Sequence, residues 1–578
     1  AMHHLEYTRN RVASAILLFY WLFILFANVI KLRTLLMMHQ LEIDPTQFIL
    51  FAVSASLGAI MFMLENVPRP KSQYVMLEED ECPEPNTNIF GRLTFSWMTP
   101  LMRSGYQKPL VMEDLWNLKK EDQAAMVGEI FQKAWEAEMK KSTNPSLLRV
   151  LVKLVGAPML FAAVLKVIQD ITQFIQPVLL SELISWVAQY GTSDDSTVPA
   201  YRGVLIAIGM FVAAVVQMLF QQQYFQLCYT AGMQVRAALV TAIYRKTLVL
   251  SNDSRQQSTV GEIVNHMSVD AQRLMDVCGY IHIAWGSPFQ IFLALVLLWK
   301  TMGPSIWSGV AILILAIPLN GFLASRMMKL QKQQMKNKDA RVKLMNETLN
   351  GIKVIKLYAW ENAFMEKISF IRNDLELATL KKVGVLSAGQ NFTMSSVPFL
   401  VTLTTFAVFV TTSGTPLTSE IAFVAISLFN LLQFPLVALP LIIAFVIEAS
   451  VSLSRIEKYL CSEELNPNAV TRVDYRTLRN WSPKVPLVEV SNGTFKWSVT
   501  HREPQLEDIN LQVKKGEVTA VVGRVGAGKS SLISSLLGDM VKQSGNVTLR
   551  GSVAYVPQQP WVMNATLRDN IVFGHRWD

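Results

Sequence analysis

Eight apolar runs set the limits on what this chain can become. Val12 to Ile30 lies between Arg11 and Lys31, and Pro45 to Leu64 between Asp44 and Glu65, neither holding a charge. Six more follow near 155–190, 203–230, 277–299, 301–325, 390–412 and 421–447. A helix needs about 20 apolar residues to cross the hydrocarbon of a bilayer. Lipid admits only helices and closed barrels, because every backbone group must be bonded internally. The runs therefore predict a polytopic α-helical membrane protein. Composition agrees: 17% of the 578 residues are charged, against about 25% in soluble domains. The runs Gly203 to Val235 and Val383 to Ser419 exceed the bilayer's need, which predicts helices that continue past it. The first run is too long for a secretory signal peptide.

Charge gives the topology. Tyr190 to Arg202, Lys300 to Pro304 and Thr411 to Ser419 are short loops with almost no lysine or arginine, whereas 231–276 and 326–382 are long. The second long segment carries Arg326, Lys329, Lys332, Lys336, Lys338, Arg341, Lys343, Lys353 and Lys356. The positive-inside rule places both long segments on the cytoplasmic side. The net charge of +9 is thus explained by topology, and no nucleic-acid partner is expected. Cys82, Cys228, Cys278 and Cys461 lie far apart without a C-x-x-C pair and read as reduced thiols, neither a zinc site nor a disulfide framework.

The polar stretches divide the chain further. Glu65 to Asn144 reads as a cytoplasmic linker ending in a charged helix, Lys119 to Lys141. Within it, Phe90 to Leu101 is either a small packed segment or a piece at the membrane interface. After Glu448 a helix runs on through Tyr459, a polar connector with Pro467, Pro483 and Pro486 follows, and Leu487 starts an alternating, strand-like region.

That region contains Gly523-Arg524-Val525-Gly526-Ala527-Gly528-Lys529-Ser530, which fits G-x-x-x-x-G-K-[ST]. Backbone N–H groups of such a loop cradle phosphates, glycines let it close, and the following helix N-terminus adds partial positive charge. Val518 to Val522 reads as a short buried strand before the loop and Ser531 to Leu537 as a helix after it. Lys529 would reach the β- and γ-phosphates, and the Ser530 hydroxyl would hold Mg²⁺. A nucleoside triphosphate is the implied ligand. Upstream, Trp497 is either a core or surface tryptophan or a platform for an adenine. Downstream, Gln558 in Tyr555-Val556-Pro557-Gln558-Gln559-Pro560-Trp561 is either plain loop or an amide near Mg²⁺ and the attacking water.

Together these pieces resemble an ABC transporter, with a six-span transmembrane domain before a nucleotide-binding domain. The likeness narrows to the multidrug-resistance-associated proteins of subfamily C. Leu93-Thr94-Phe95-Ser96-Trp97-Met98 and Gly105-Tyr106-Gln107-Lys108-Pro109-Leu110, running to Trp116, are similar to that family's lasso segment. Thr259 to Arg273 is similar to its first cytoplasmic loop, and Leu344 to Glu361 to its second. Gly551 to Trp561 closes the match.

The resemblance implies ATP and Mg²⁺ as cofactors. Trp497 would stack on adenine, and Gly523, Gly526, Gly528, Lys529, Ser530 and Ser531 would hold phosphates. Ser530 and Gln558 would meet the metal, and Phe573 would contact a coupling helix. It also implies a division into residues 1–66, the last two spans of an extra N-terminal membrane domain; 67–145, the linker with its lasso; 146–460, six spans; 461–486, a connector; and 487–578, the first part of a nucleotide-binding domain. The expected activity is ATP-driven export of amphipathic organic anions, glutathione or other conjugates, and drugs by alternating access. The expected site is the plasma membrane or a vacuolar or lysosomal membrane.

A lysine in the membrane is expensive and by default a functional hypothesis. Lys166 sits in the run Leu160 to Leu180 with Gln169, Asp170 and Gln173. An i,i+4 pair with Asp170, or snorkelling to the interface, would account for it without function. The resemblance assigns Lys166 to a basic pocket for anionic conjugates, with Gln169, Tyr280, Asn391, Met394, Asn430 and Gln433 as further lining. Gln433 replaces an arginine, Met394 a tryptophan and Gln169 a histidine found in some members, which reduces positive charge in the pocket. Pro435 and Pro440 are expected to kink the sixth span, at a cavity or for packing.

The chain opens at Ala1-Met2 and stops at Asp578, in mid-domain, and reads as an N-terminal fragment. No signature motif, magnesium-binding aspartate, adjacent carboxylate or switch histidine follows the P-loop. No catalytic residue is therefore assigned, and this chain alone is expected to bind nucleotide without turning it over, the missing C-terminal half being a partner. The alternatives are a regulatory protein of the sulfonylurea-receptor type and a truncated fragment that does not transport. The first two spans argue against the channel-forming relative, and the spans as a whole exclude a soluble P-loop kinase or GTPase.

Overall fold

Helix is the form in which an apolar run can hide its own backbone from lipid, and all eight runs are helical over their described residues. A computed structural model describes residues 14–37, 45–66, 82–141, 144–192, 199–414, 416–473, 485–498, 503–558 and 560–576, in two compact units. The start of the first run, linker residues 67–81 and connector residues 474–484 lie outside the described residues. Among the described residues, seven continuous helical stretches are long and apolar enough to cross a membrane. One of these, Val260–Asn350, contains two of the expected runs.

The first unit comprises Ala1–Ala238 and Gln272–Val451. Helices α1 (Ala15–Met37) and α2 (Pro45–Asn66) pack at Gly58, whose open side faces Ile24, Asn28 and Trp21. Small residues permit such close approach between membrane helices. The linker adds α3 (Ile89–Leu93), α4 (Thr99–Gln107) and α5 (Ala124–Lys141). Phe90 sets its ring edge-on, 5.8 Å from Phe19 and 5.9 Å from Phe62. The aromatic segment thus packs on α1 and α2, and Asn88 caps α3 by accepting the Gly91 N–H at 2.7 Å. The charged helix starts at Ala124, five residues later than expected. Lys120–Asp122 forms a 3₁₀ turn instead, in which buried Asp122 accepts from Gln234 at 2.7 Å.

The main bundle is α6 (Leu147–Gln173), α7 (Ile175–Thr192), α8 (Ala200–Val249), α11 (Ala271–Met302), α12 (Ile306–Asn350), α15 (Ala378–Thr412) and α16 (Ser419–Leu460). At 1.5 Å per residue, α8 is about 75 Å long, well beyond the ~30 Å of hydrocarbon. A 3₁₀ turn at Gly303–Ser305 separates α11 from α12, with Gly303 at φ +59. Helix α16 stays continuous through Pro435 and Pro440. The core of this bundle joins Leu298 and Met302 to Ile306, Val401, Phe409, Leu428 and Leu432. A close approach within it is at Gly309, where an added Cβ would lie 2.4 Å from Thr405 Oγ1 and 3.0 Å from Val401 Cγ1. Gly309→Val is therefore expected to destabilise the protein by about 1–3 kcal/mol through overpacking. Gly321→Ala, with nothing within 4 Å of its added Cβ, serves as the control. Thermal unfolding in detergent measures both, and equal unfolding temperatures would contradict the packing.

The second unit comprises Leu239–Ala271 and Ser452–Asp578. Its loop part holds α9 (Asn252–Gln257), α10 (Val260–Asn265) and a π-helical turn, His266–Asp270. Thr259 and Glu262 close a capping box on α10, each side chain accepting the other's backbone N–H at 3.2 and 3.1 Å. The remainder is a four-stranded sheet in the order β1 (Thr471–Val473), β4 (Val541–Arg550), β2 (Val488–Lys496), β3 (Leu506–Val513). The β1–β4 pair is parallel and the others antiparallel. Val490, Phe495, Leu506, Met540, Val547 and Leu549 form its core, with Leu532 and Leu536 of α17 (Lys529–Leu537) packed against it. Two short helices, α13 (Ile352–Leu357) and α14 (Glu361–Phe370), belong to the first unit, and α18 (Leu567–Val572) to the second.

One expectation fails. Val518 to Val522 is not a buried strand: it carries no sheet pairing, and Val518 and Val522 are 99% and 89% exposed. A strand must satisfy half its backbone groups on a neighbour, and among the described residues no strand lies beside this segment. Val553 and Val556, in the segment before Gln558, are exposed for the same reason.

Candidate nucleotide site and membrane pocket

The helical half of the P-loop is well formed. Gly526 and Gly528 have φ of +86 and +88, left-handed values that only glycine adopts without strain. Gly528 is the residue from which α17 departs, and its carbonyl accepts the Leu532 N–H at 2.9 Å. The loop thereby delivers the free N–H groups of a nine-residue helix to one spot, where backbone dipoles favour an anion. Lys529 Nζ donates to the carbonyls of Gly523 at 2.8 Å and Arg524 at 2.7 Å. Its ammonium is thus held over the mouth of the loop, where it would exchange those carbonyls for phosphate oxygens. The site suits a nucleoside polyphosphate in three respects: left-handed glycines, a helix N-terminus and a cation. Ser530 is exposed beside Lys529, while Ser531 is 8% exposed and faces inward.

Among the described residues, no hydrogen bond joins Trp497, Gln558 or Phe573 to Lys529 or Ser530. Trp497 is half-buried and packs against the sheet core, as a structural tryptophan does. Gln558 is exposed, and no hydrogen bond among the described residues joins it to Lys529 or Ser530. Phe573 has φ +48 just after α18 and sets its ring 6.1 Å from Trp561, edge-on. Thr566 caps that helix by accepting the Asp569 N–H at 3.1 Å, and Asn570 folds back to donate to the Met563 carbonyl at 3.1 Å.

In the membrane unit Lys166 is 4% exposed and Asp170 is fully buried. They form the i,i+4 pair that the spacing allows, and Lys166 also donates to Gln169 at 2.8 Å. Gln290 of α11 donates to the same Asp170 oxygen at 2.5 Å, while Asp170 Oδ2 has no hydrogen-bond partner among the described residues. The Lys166 ammonium lies 5.9 Å from the Tyr224 ring centre, and Gly286 leaves room for both charged groups: an added Cβ there would sit 3.0 Å from Asp170 Oδ2. Buried charges are costly unless paired and hydrogen-bonded. Three helices contribute to this one polar cluster.

Tyr280 meets Tyr229 through their hydroxyls at 3.4 Å and lies 6.0 Å from the Phe445 ring. Asn391, Asn430 and Gln433 are exposed and Met394 is half-buried. No hydrogen bond among the described residues joins these four to Lys166. Sequence reasoning missed Gln290, Tyr224 and Gly286. A glutamine in an otherwise apolar run was the available signal for the first; nothing marked the other two.

Residues 159–436 match a family model described as ABC transporter transmembrane region, 1–49 one described as ABC transporter TMD0 domain, and 506–577 one described as ABC transporter. The chain is similar to the metal resistance protein YCF1 of Saccharomyces cerevisiae, at 41% identity over 100% of this chain and 40% of that protein. It is also similar to ATP-binding cassette sub-family C member 3 of Mus musculus, at 40% identity over 98% of this chain and 38% of that protein. ABC transporter C family member 8 of Dictyostelium discoideum is 40% identical over 99% of this chain and 35% of its own length. The chain thus spans about two fifths of the length of these relatives.

Proposed function

The chain belongs to the ABC transporters, among relatives of subfamily C, and from that premise we propose that it carries one half of an ATP-driven exporter of amphipathic organic anions and conjugates. The observation that carries this reading is a phosphate-fitting P-loop in the same chain as a buried cation, Lys166, in a membrane helix.

ATP supplies the binding energy that shifts an inward-facing state to an outward-facing one, which requires that it bind the two states with different affinity. Gly526, Gly528 and the start of α17 wrap the phosphates, Lys529 neutralises them, and Ser530 offers its hydroxyl to Mg²⁺. Trp497, just after the interior strand β2, offers its ring to the adenine, and Gln558 its amide to the metal and the attacking water. Phe573 carries the motion to a cytoplasmic loop. In a protein of the relatives' length, a second nucleotide-binding domain and six further spans complete the machine and supply the hydrolytic residues.

In the membrane, Lys166 attracts the negative charge of a conjugate, while Asp170 keeps that attraction moderate by sharing the ammonium. Tyr280, Asn391, Met394, Asn430 and Gln433 offer a weakly polar lining for the apolar part. The metal resistance named for the yeast relative favours testing metal–thiolate conjugates beside purely organic ones. The plasma membrane and a vacuolar or lysosomal membrane suit this function equally.

Substrate-stimulated ATPase activity of the purified full-length protein tests the proposal. Glutathione conjugates are expected to stimulate more strongly than neutral drugs of similar size. Stimulation by neither, with a potassium channel copurifying, would favour the regulatory reading instead.

A further inference from the structure

The first long cytoplasmic loop contains a histidine that the transport reading does not use. His266 is 8% exposed and lies in the π-helical turn, and its Nδ1 sits 2.7 Å from Oδ2 of fully buried Asp270. The other Asp270 oxygen accepts from Ser452 Oγ at 2.9 Å and from the Arg455 guanidinium at 3.2 Å, both on the last turns of α16. The imidazole ring also lies 5.5 Å from the Tyr459 ring on the same helix, whose hydroxyl is 2.8 Å from Thr247 Oγ1 of α8. One step further, Lys246 binds Glu464 at 2.6 Å, and the Ser251 and Leu465 N–H groups bond the carbonyls of Glu463 and Val249. The titratable and charged groups around His266 are therefore Asp270, Arg455, Tyr459, Lys246 and Glu464.

We propose that His266, Asp270 and Arg455 form a proton-responsive latch between the π-helical turn and the end of α16. π-Helical turns interrupt the regular backbone ladder and recur at functional sites. Here the widened turn brings His266 and Asp270 of the loop together opposite the two α16 donors. A neutral imidazole gives the Asp270 carboxylate a hydrogen bond, and an imidazolium adds the attraction of opposite charges to it. Histidine is the side chain whose ordinary charge change falls between about pH 5 and 8. The latch is thus tighter under acidic cytoplasmic conditions, and the loop then follows α16 more faithfully. That last consequence rests on the transporter reading; the latch itself does not.

Hydrogen–deuterium exchange on the full-length protein, at about pH 6 and about pH 8 and corrected for chemical exchange, tests the latch. Peptides covering 259–270 and 452–460 are expected to open about threefold less often at the lower pH. His266→Gln, which keeps a hydrogen-bonding side chain without the charge, is expected to make opening equal at both. The same pH dependence in His266→Gln, or none in the native protein, would overturn the proposal. In vesicles, uptake per ATP hydrolysed is expected to be higher at the lower pH in the native protein and level in His266→Gln. Level uptake in both, with exchange still pH-dependent, would leave the latch standing and overturn its role in coupling. No uptake in either would instead count against the transport function.

Discussion

Lys529→Ala, in a full-length protein carrying this chain, is expected to lower ATP-driven uptake by on the order of 100-fold or more, the cost of removing a positioned charge from a phosphate site. The fold should survive. Among the described residues, Lys529 Nζ is bonded only to the carbonyls of Gly523 and Arg524, and its loop neighbours from Val521 to Ala527 are exposed. Truncation therefore leaves those carbonyls to water rather than as buried orphans. Nucleotide photolabelling should weaken in parallel with uptake, while the unfolding temperature stays level. Unchanged uptake would show that this loop does not drive transport.

The second large effect lies in the membrane. Asp170→Leu strands a nearly buried ammonium, and breaking a buried pair typically costs about 3–5 kcal/mol. Yield and unfolding temperature are expected to drop sharply. Adding Lys166→Leu removes the stranded charge and is expected to restore both, because a buried ion pair is often replaceable by apolar side chains of similar size. The restored double variant then separates structure from transport. Uptake of anionic conjugates should fall much further than uptake of neutral drugs, since only the former lose a partner in Lys166. Equal losses would reduce Lys166 and Asp170 to a structural pair.

What could be read in advance followed the range of the interactions involved. The Lys166–Asp170 pair is a local relation on one helix, so spacing alone proposes it. Gln290, which shares Asp170, lies 120 residues away, and nothing local points from one to the other. The membrane helices were legible because lipid forces each run to satisfy its own backbone. The strand expected at Val518 to Val522 was not, because a strand's existence depends on neighbours that its own residues cannot specify. The P-loop shows both cases at once: glycine spacing pointed to a loop able to close, which Gly526 and Gly528 do with left-handed turns, while the segment before them remains exposed. Gly309 was likewise silent in the sequence, since its importance comes from Thr405 across the helix pair.

ATP-dependent uptake of a labelled glutathione conjugate into inside-out vesicles tests the transport function most directly. Vesicles bearing the full-length protein should accumulate the conjugate with ATP, lose it when osmotically collapsed, and fail to accumulate it with Lys529→Ala. Accumulation that is the same without ATP, or with Lys529→Ala, would contradict an exporter driven through this P-loop.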